Sequence, residues 1–221
     1  MSPVSWLRST PLLARVAPFI IFVVITSLQG SLGEGSRYSL YVLKTFVGAW
    51  MVWVVRPVIP EIRWTFSFEA IVVGFAVFAA WVGLDAFYPK FGDPGKAWTP
   101  LKHYEAAPAL GWLVVICRTV GSSVVVPPIE EAFYRSFVYR WIVSPEFTQI
   151  ELRQRSVKAL AITSLMFGFA HREWLPGILC GLAYQALTLR AGHLGPAISA
   201  HAVTNLLLGG WVVFKGAWQF W

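Results

Sequence analysis

The fold is decided by residues 124–135, which read VVVPPIEEAFYR and place two adjacent carboxylates, Glu130 and Glu131, near the end of an apolar run. A carboxylate inside lipid is costly, so membrane proteins keep one only where it faces the interior of a helix bundle or a wet cavity. The two prolines ahead of the glutamates can kink a helix at this point. The stretch therefore predicts a membrane helix that carries a functional site.

The composition places the chain in a membrane. Of its 221 residues, 57% are hydrophobic and 13% are charged, and the mean hydropathy is +0.61. The net charge of +7 does not indicate a nucleic-acid partner, because the basic residues mostly flank the apolar runs. The two cysteines, Cys117 and Cys180, lie inside apolar runs, which excludes a disulfide framework and a CxxC metal site. We expect an all-α, polytopic transmembrane helical bundle.

Seven apolar segments are predicted to span the membrane, with six and eight as the alternatives. They cover residues 12–28, 38–58, 66–87, 110–142, 157–171, 175–189 and 194–214. The first is interpreted as a retained helix, because no A-x-A cleavage site follows it. The fourth is predicted to run on through Pro127 and Pro128, since a helix that stopped there would leave Glu130 at the surface. Residues 1–107 are taken as N-terminal helices with an external polar loop, and residues 108–221 as the helical core of one integrated membrane domain.

The basic residues favour one orientation. If the spans alternate from a cytoplasmic N-terminus, nine Lys and Arg residues fall on the cytoplasmic side and six on the other. Cytoplasmic loops of membrane proteins carry the excess of Lys and Arg. We therefore expect the N-terminus to be cytoplasmic.

The two adjacent glutamates are predicted to have different roles. Each helical residue turns by about 100°, so neighbours cannot point at one spot, whereas residues four apart share a face. Glu131 stands four before Arg135, which is the favourable order for an ion pair within a helix. This pairing leaves Glu130 for a cavity.

Later spans supply polar partners for Glu130. His171 closes the fifth span, and His201 and Asn205 lie four apart, on one face of the seventh. Small residues nearby would let these helices approach closely, among them Gly168, Gly177, Gly181, Gly195 and Ala200. For any single histidine or asparagine, an interhelical hydrogen bond is the plainer interpretation.

Other polar residues are assigned structural or solvent-exposed roles, and the role of one of them is left open. His103 and His193 are interpreted as solvated bystanders in loops, and both cysteines as buried small residues. Arg118 either pairs with an acid such as Glu69 or extends to the interface, and the sequence does not decide between these.

Three short motifs together resemble the CAAX protease and bacteriocin-processing family, which includes the Rce1-like prenyl-protein endopeptidases. They are EExxxR at residues 130–135, FxxxH at residues 167–171 and HxxxN at residues 201–205, in the family's order, within about residues 110–214. The run 192–205 also looks like the CAAX-protease-related proteins that accompany bacterial exosortase systems. The N-terminal spans carry no resemblance.

The resemblance implies an intramembrane glutamate endopeptidase without a metal or other cofactor. Glu130 would activate water with help from His171, while His201 and Asn205 would hold the oxyanion. Glu131 and Arg135 would support these groups. The implied partners are membrane lipid and a protein or peptide substrate, either lipid-modified or belonging to a sorting system. The implied location is the bacterial inner membrane.

Three other functions are alternatives to the glutamate endopeptidase. A zinc protease would use His171, His201 and a glutamate as ligands, although no HExxH motif is present. A cysteine transpeptidase would need a reactive Cys180. A non-catalytic scaffold or immunity-type protein would keep the fold without turnover.

Overall fold

A computed structural model describes residues 5–91 and 98–221. Its regular elements in these ranges are all helices, with no strand. Seven long helices and one short one follow in order. They are α1 (Pro11–Ser27), α2 (Ser36–Val55), α3 (Phe68–Gly83), the short α4 (Pro100–His103), α5 (Pro108–Val143), α6 (Val157–Phe169), α7 (Trp174–Ala191) and α8 (Gly195–Lys215). The seven long helices coincide with the seven predicted segments. The predicted all-α bundle is confirmed.

Local signals in the sequence set the helix ends. Thr10, Ser67 and Ser156 each accept a hydrogen bond from the backbone N–H three residues on, and so cap α1, α3 and α6. Gly192 and Gly216 follow α7 and α8 with φ of +74° and +63°, a conformation that glycine adopts without a Cβ penalty. The short turn between α7 and α8 follows from the Gly192 cap.

Three segments are long and apolar enough to cross a membrane: Ser36–Val58, Pro108–Val143 and Gly195–Lys215. α1, α3 and α6 are apolar but shorter, at 13 to 17 residues. A hydrocarbon core about 30 Å thick needs about 20 helical residues. The three long apolar helices make the chain an integral membrane protein.

α5 is one continuous helical segment of 36 residues, as predicted. It contains two π-helical turns, Gly121–Val125 just before the prolines and Ala132–Val138 just after Glu131. A proline ring clashes with the carbonyl four residues earlier, and a π turn widens the helix where that clash would fall. The helix therefore continues past Pro127 and carries Glu130 into the bundle.

Glycines bring the site-bearing helices together. A Cβ on Gly177 would lie 2.9 Å from Gly168 Cα, and one on Gly181 would lie 2.8 Å from Ser164 Cα, so α6 and α7 touch backbone to backbone. A Cβ on Gly74 would lie 2.8 Å from Ala200 O, which gives the same close approach between α3 and α8. These contacts fix the positions of His171 and His201.

Candidate active site

All four residues predicted for the site line one cavity of about 330 Å³, which we call the catalytic cavity. Glu130 comes from α5, His171 from the turn after α6, and His201 and Asn205 from α8. Residues of α1 and α2 complete the wall. The structure thus brings together residues from opposite ends of the sequence.

Glu130 faces this cavity with one carboxylate oxygen unpaired. Its Oε2 lies 3.9 Å from His201 Nε2, and the side chain is 15% exposed. Oε2 is buried and has no hydrogen-bond partner within the described ranges. A buried oxygen of this kind is available to a ligand or to water.

Glu131 is fully buried and holds two partners. Its Oε1 lies 3.0 Å from His201 Nδ1, and its Oε2 lies 3.1 Å from Arg135 Nε. The Arg135 guanidinium also lies over the Phe167 ring, 4.5 Å from its centre. The ion pair predicted from the spacing is present, while the contact with His201 was not predicted.

His171 lies two residues beyond the end of α6, and its ring is fixed by a backbone contact. Its Nδ1 is 2.7 Å from Phe167 O, one of the carbonyls that a helix end leaves unpaired. Since a carbonyl only accepts, Nδ1 carries the proton and Nε2 is an acceptor. The edge of Trp81 packs on the ring at 5.6 Å. His171 can therefore take a proton at Nε2.

Asn205 is bound to α5 through a carbonyl that proline leaves free. In the first π turn Val126 N donates to Gly121 O, five residues back. In the same pattern the carbonyl of Ser122 would accept from the backbone N–H of residue 127. That residue is a proline, which has no N–H. Asn205 Nδ2 donates to that carbonyl at 2.8 Å and keeps a second N–H. The HxxxN motif thus also ties α8 to α5.

Tyr184 and Thr204 support His201 and were missed by the sequence reasoning. The Tyr184 ring stacks on His201 at 5.1 Å, and its hydroxyl donates to Thr204 Oγ1 at 2.7 Å. Thr204 in turn donates to Gly74 O at 2.9 Å. Both residues are buried within largely apolar runs of the sequence, so only the packing identifies them.

Two cations lie in the wall on the side of α2. Lys44 is 5% exposed, and its Nζ is bound by Thr26 Oγ1 and Gln29 Oε1 at 2.9 and 3.2 Å. Arg118 lies over the rings of Tyr41, Trp98 and Trp221 at 4.4 to 5.2 Å. It does not pair with Glu69, which binds Arg190 at 2.7 Å. The pair of Arg118 with Glu69 that the sequence left open is therefore absent, and the guanidinium lies among aromatic rings.

Glu173 is a further acid in the wall that the sequence reasoning did not single out. It lies in the turn between α6 and α7 and is 8% exposed. Burial raises its pKa above the ordinary glutamate value, although Arg172 and His171 oppose this. It is a second carboxylate near His171.

The remaining candidates lie outside this arrangement or carry no ligand set. His103 packs against Tyr38 and Tyr104, and His193 lies in the α7–α8 turn. Cys180 is a buried residue in the cavity wall and Cys117 is half-buried. Within the ranges that the structure describes, no three His, Cys, Asp or Glu side chains form a group that could hold a metal ion.

Comparison with protein-family models gives a match over the helices that carry the four predicted site residues. Residues 108–207 match the model described as type II CAAX prenyl endopeptidase Rce1-like. No curated protein and no solved structure matches the chain. The match begins with α5 and ends two residues after Asn205, so it includes all three motifs. Residues 108–207, somewhat less than half of the chain, are therefore similar to the Rce1-like CAAX prenyl endopeptidases.

Proposed function

We propose that the protein is an intramembrane endopeptidase in which Glu130 activates a water molecule to hydrolyse a peptide bond. The observation that carries this proposal is the unpaired, buried Oε2 of Glu130, which faces a cavity shared with two histidines. A carboxylate in such a setting can accept a proton from water.

The reaction follows from the positions of the acceptors. Glu130 takes one proton from water while the water oxygen bonds to the carbonyl carbon of the substrate. His171, with Nε2 as acceptor, helps to orient this water. The protonated Glu130 then gives its proton to the leaving nitrogen as the C–N bond breaks. General acid–base catalysis of this kind contributes about 10²–10⁴-fold.

His201 and Asn205 are the donors for the oxyanion. In its protonated form His201 donates from both ring nitrogens, to Glu131 at Nδ1 and into the cavity at Nε2. The second N–H of Asn205 is the other donor.

Glu131 and Arg135 position these groups without touching the substrate. Glu131 fixes the His201 ring at 3.0 Å, and Arg135 fixes Glu131 at 3.1 Å. This is the usual way in which a buried acid orients a histidine.

The family description points to a substrate class. The matched model is that of a prenyl endopeptidase, which favours a lipid-modified protein or peptide as the substrate. A sorting-system protein is the alternative, and it rests only on the likeness of residues 192–205 to exosortase-associated proteins. Membrane lipid surrounds the enzyme. We place it in the bacterial inner membrane with a cytoplasmic N-terminus. We assign residues 1–107 and 108–221 to one membrane domain, because α1 and α2 line the catalytic cavity together with α5 and α8.

Glu130→Gln tests the proposal, because it keeps the shape of the side chain and removes the base. We expect processing to fall by at least about 100-fold. Mass spectrometry of membrane proteins from cells with wild-type or variant protein measures the loss of new peptide termini. Glu146→Gln, at an exposed glutamate far from the cavity, is the matched control and should process normally.

The same assay separates the alternatives. If Glu130→Gln processes at the wild-type rate, the glutamate mechanism is wrong. If neither protein generates new termini, the non-catalytic scaffold is favoured. Loss of processing by the wild-type protein in a chelator would instead favour the zinc protease.

A further inference from the structure

A second cavity, of about 560 Å³, lies where the start of α1, the end of α5 and the turn between α7 and α8 meet. We call it the basic cavity. It shares no lining residue with the catalytic cavity. Its charged wall consists of four arginines and two glutamates, which leave a net charge of +2: Arg15, Arg63, Arg140, Arg153, Glu61 and Glu151.

The floor of the basic cavity carries an uncompensated charge. Glu61 binds Arg15 at 2.5 Å and Arg140 at 2.9 Å, and none of the three side chains is more than 10% exposed. Burial alone would raise the pKa of Glu61, but Arg15 and the Ser136 hydroxyl hold it below its ordinary value. Glu61 is therefore ionised, and two guanidinium groups share its single negative charge.

The rim of the basic cavity supplies donors that have no acid to bind. Neither Arg63 nor Arg153 has a carboxylate partner within the described ranges, and Arg153 donates only to a backbone carbonyl there. His193 Nδ1 accepts from Gly195 N at 3.1 Å, so Nε2 carries the proton and is a donor. Burial lowers the pKa of His193, and the charges of Arg63 and Arg153 lower it further.

We propose that the basic cavity binds a phosphate group between Arg63, Arg153 and His193. Arginine donates in a fixed fork that matches phosphate oxygens, and it is preferred where such groups are recognised. Basic pockets between membrane helices bind the phosphate of lipid headgroups. The ligand is either free inorganic phosphate or the headgroup of an anionic lipid, and the binding does not depend on proteolysis.

Binding to the purified full-length protein in uncharged detergent tests the proposal. Inorganic phosphate is titrated at constant ionic strength while the thermal midpoint is followed, and retention of phosphatidylglycerol against phosphatidylcholine is measured by native mass spectrometry. We expect at least one of these phosphate ligands to bind, and Arg63→Gln with Arg153→Gln to weaken it about tenfold. Arg63→Gln alone changes an exposed side chain that makes no hydrogen bond to the residues that the structure describes, so this variant should fold normally.

The matched control removes two other arginines from the same end of the bundle. Arg56 and Arg155 are exposed and do not line the basic cavity, so Arg56→Gln with Arg155→Gln should bind within twofold of the wild type. Stabilisation by inorganic phosphate that displaces the lipid assigns a free phosphate, and retention of phosphatidylglycerol alone assigns a headgroup. If neither ligand binds, or if the control weakens binding as much as the rim variant, the proposal is wrong.

Discussion

Glu130 and Glu131 are neighbours in sequence but have opposite surroundings. Glu131 is fully buried between Arg135 and His201, whereas Glu130 presents a free oxygen to the catalytic cavity. The angular separation of adjacent helical residues produces this difference. A change to glutamine should therefore lower the activity at position 130 and the stability of the fold at position 131.

We predict that Glu131→Gln destabilises the protein by about 3–5 kcal/mol, the usual cost of leaving one member of a buried ion pair without its partner. Thermal or denaturant unfolding in detergent measures this. The matched control is Glu69→Gln, which removes a more exposed pair with Arg190 and should cost less than about 1 kcal/mol. Equal stability of the Glu131 variant and the wild type would contradict the structural role given to this residue.

We predict that Glu173→Gln raises the thermal midpoint at pH 8 and leaves it unchanged at pH 4. The pKa of Glu173 is raised on folding, so the folded protein keeps this proton longer than the unfolded chain does. Stability is therefore lost as the pH rises above the ordinary value of 4.5, and glutamine removes that loss. The exposed Glu105→Gln is the control. An equal change at both pH values would show that burial of the charge is not the cause.

At the scale of single residues, the sequence predicts a contact only when both partners lie on one helix. The spacing of Glu131 and Arg135 was sufficient to predict their pair, because both lie on one helix. The contact of Glu131 with His201 and the stacking of Tyr184 join separate helices, and no local pattern encodes the rotation of one helix against another. The burial of Lys44 in the cavity wall likewise depends on packing between helices, which its position in the sequence does not reveal.

Among the helices, α5 has the most unusual backbone. Its two π turns lie directly before and after the segment Val126–Glu131. The first of them, together with Pro127, frees the Ser122 carbonyl that Asn205 binds. Apolar length predicted the helix, but the hydrogen-bond shift from four residues to five depends on neighbours that the sequence pattern does not reveal.

We predict that Pro127→Ala lowers processing while leaving stability unchanged or higher. Alanine restores an N–H that can pair with Ser122 O, which displaces the Asn205 side chain from its bonding partner. Pro128→Ala is the matched control, because its new N–H would face a different carbonyl. Processing and thermal midpoints of the two variants are compared. If both lose activity equally, the kink as a whole matters and the Ser122 carbonyl does not.

Across the whole molecule, basic residues gather at one end of the bundle. The ion pairs of Glu61 join the start of α1, the loop after α2 and the end of α5, and Arg153 joins the 144–156 loop to the end of α7. These elements share one end only if the helices alternate in direction. The order of the helices was predictable from hydropathy. The basic cavity between them was not, because its shape depends on how the faces of the seven long helices pack together.

We predict that this basic end faces the cytoplasm. In intact cells a membrane-impermeant thiol reagent should label Lys102→Cys and not Arg155→Cys, since both positions are exposed but lie at opposite ends. After the cells are opened, both should react. The wild-type protein controls for Cys117 and Cys180. Labelling of Arg155→Cys alone in intact cells would invert the orientation.

The donors in the catalytic cavity limit the conformation in which a polypeptide can react. In an α-helix each carbonyl oxygen already accepts a hydrogen bond from the N–H four residues on. In the proposed mechanism the substrate carbonyl oxygen must instead bind His201 and Asn205, which line the cavity. A target must therefore arrive frayed or uncoiled, and rigidity of the target near the cleavage point should protect it.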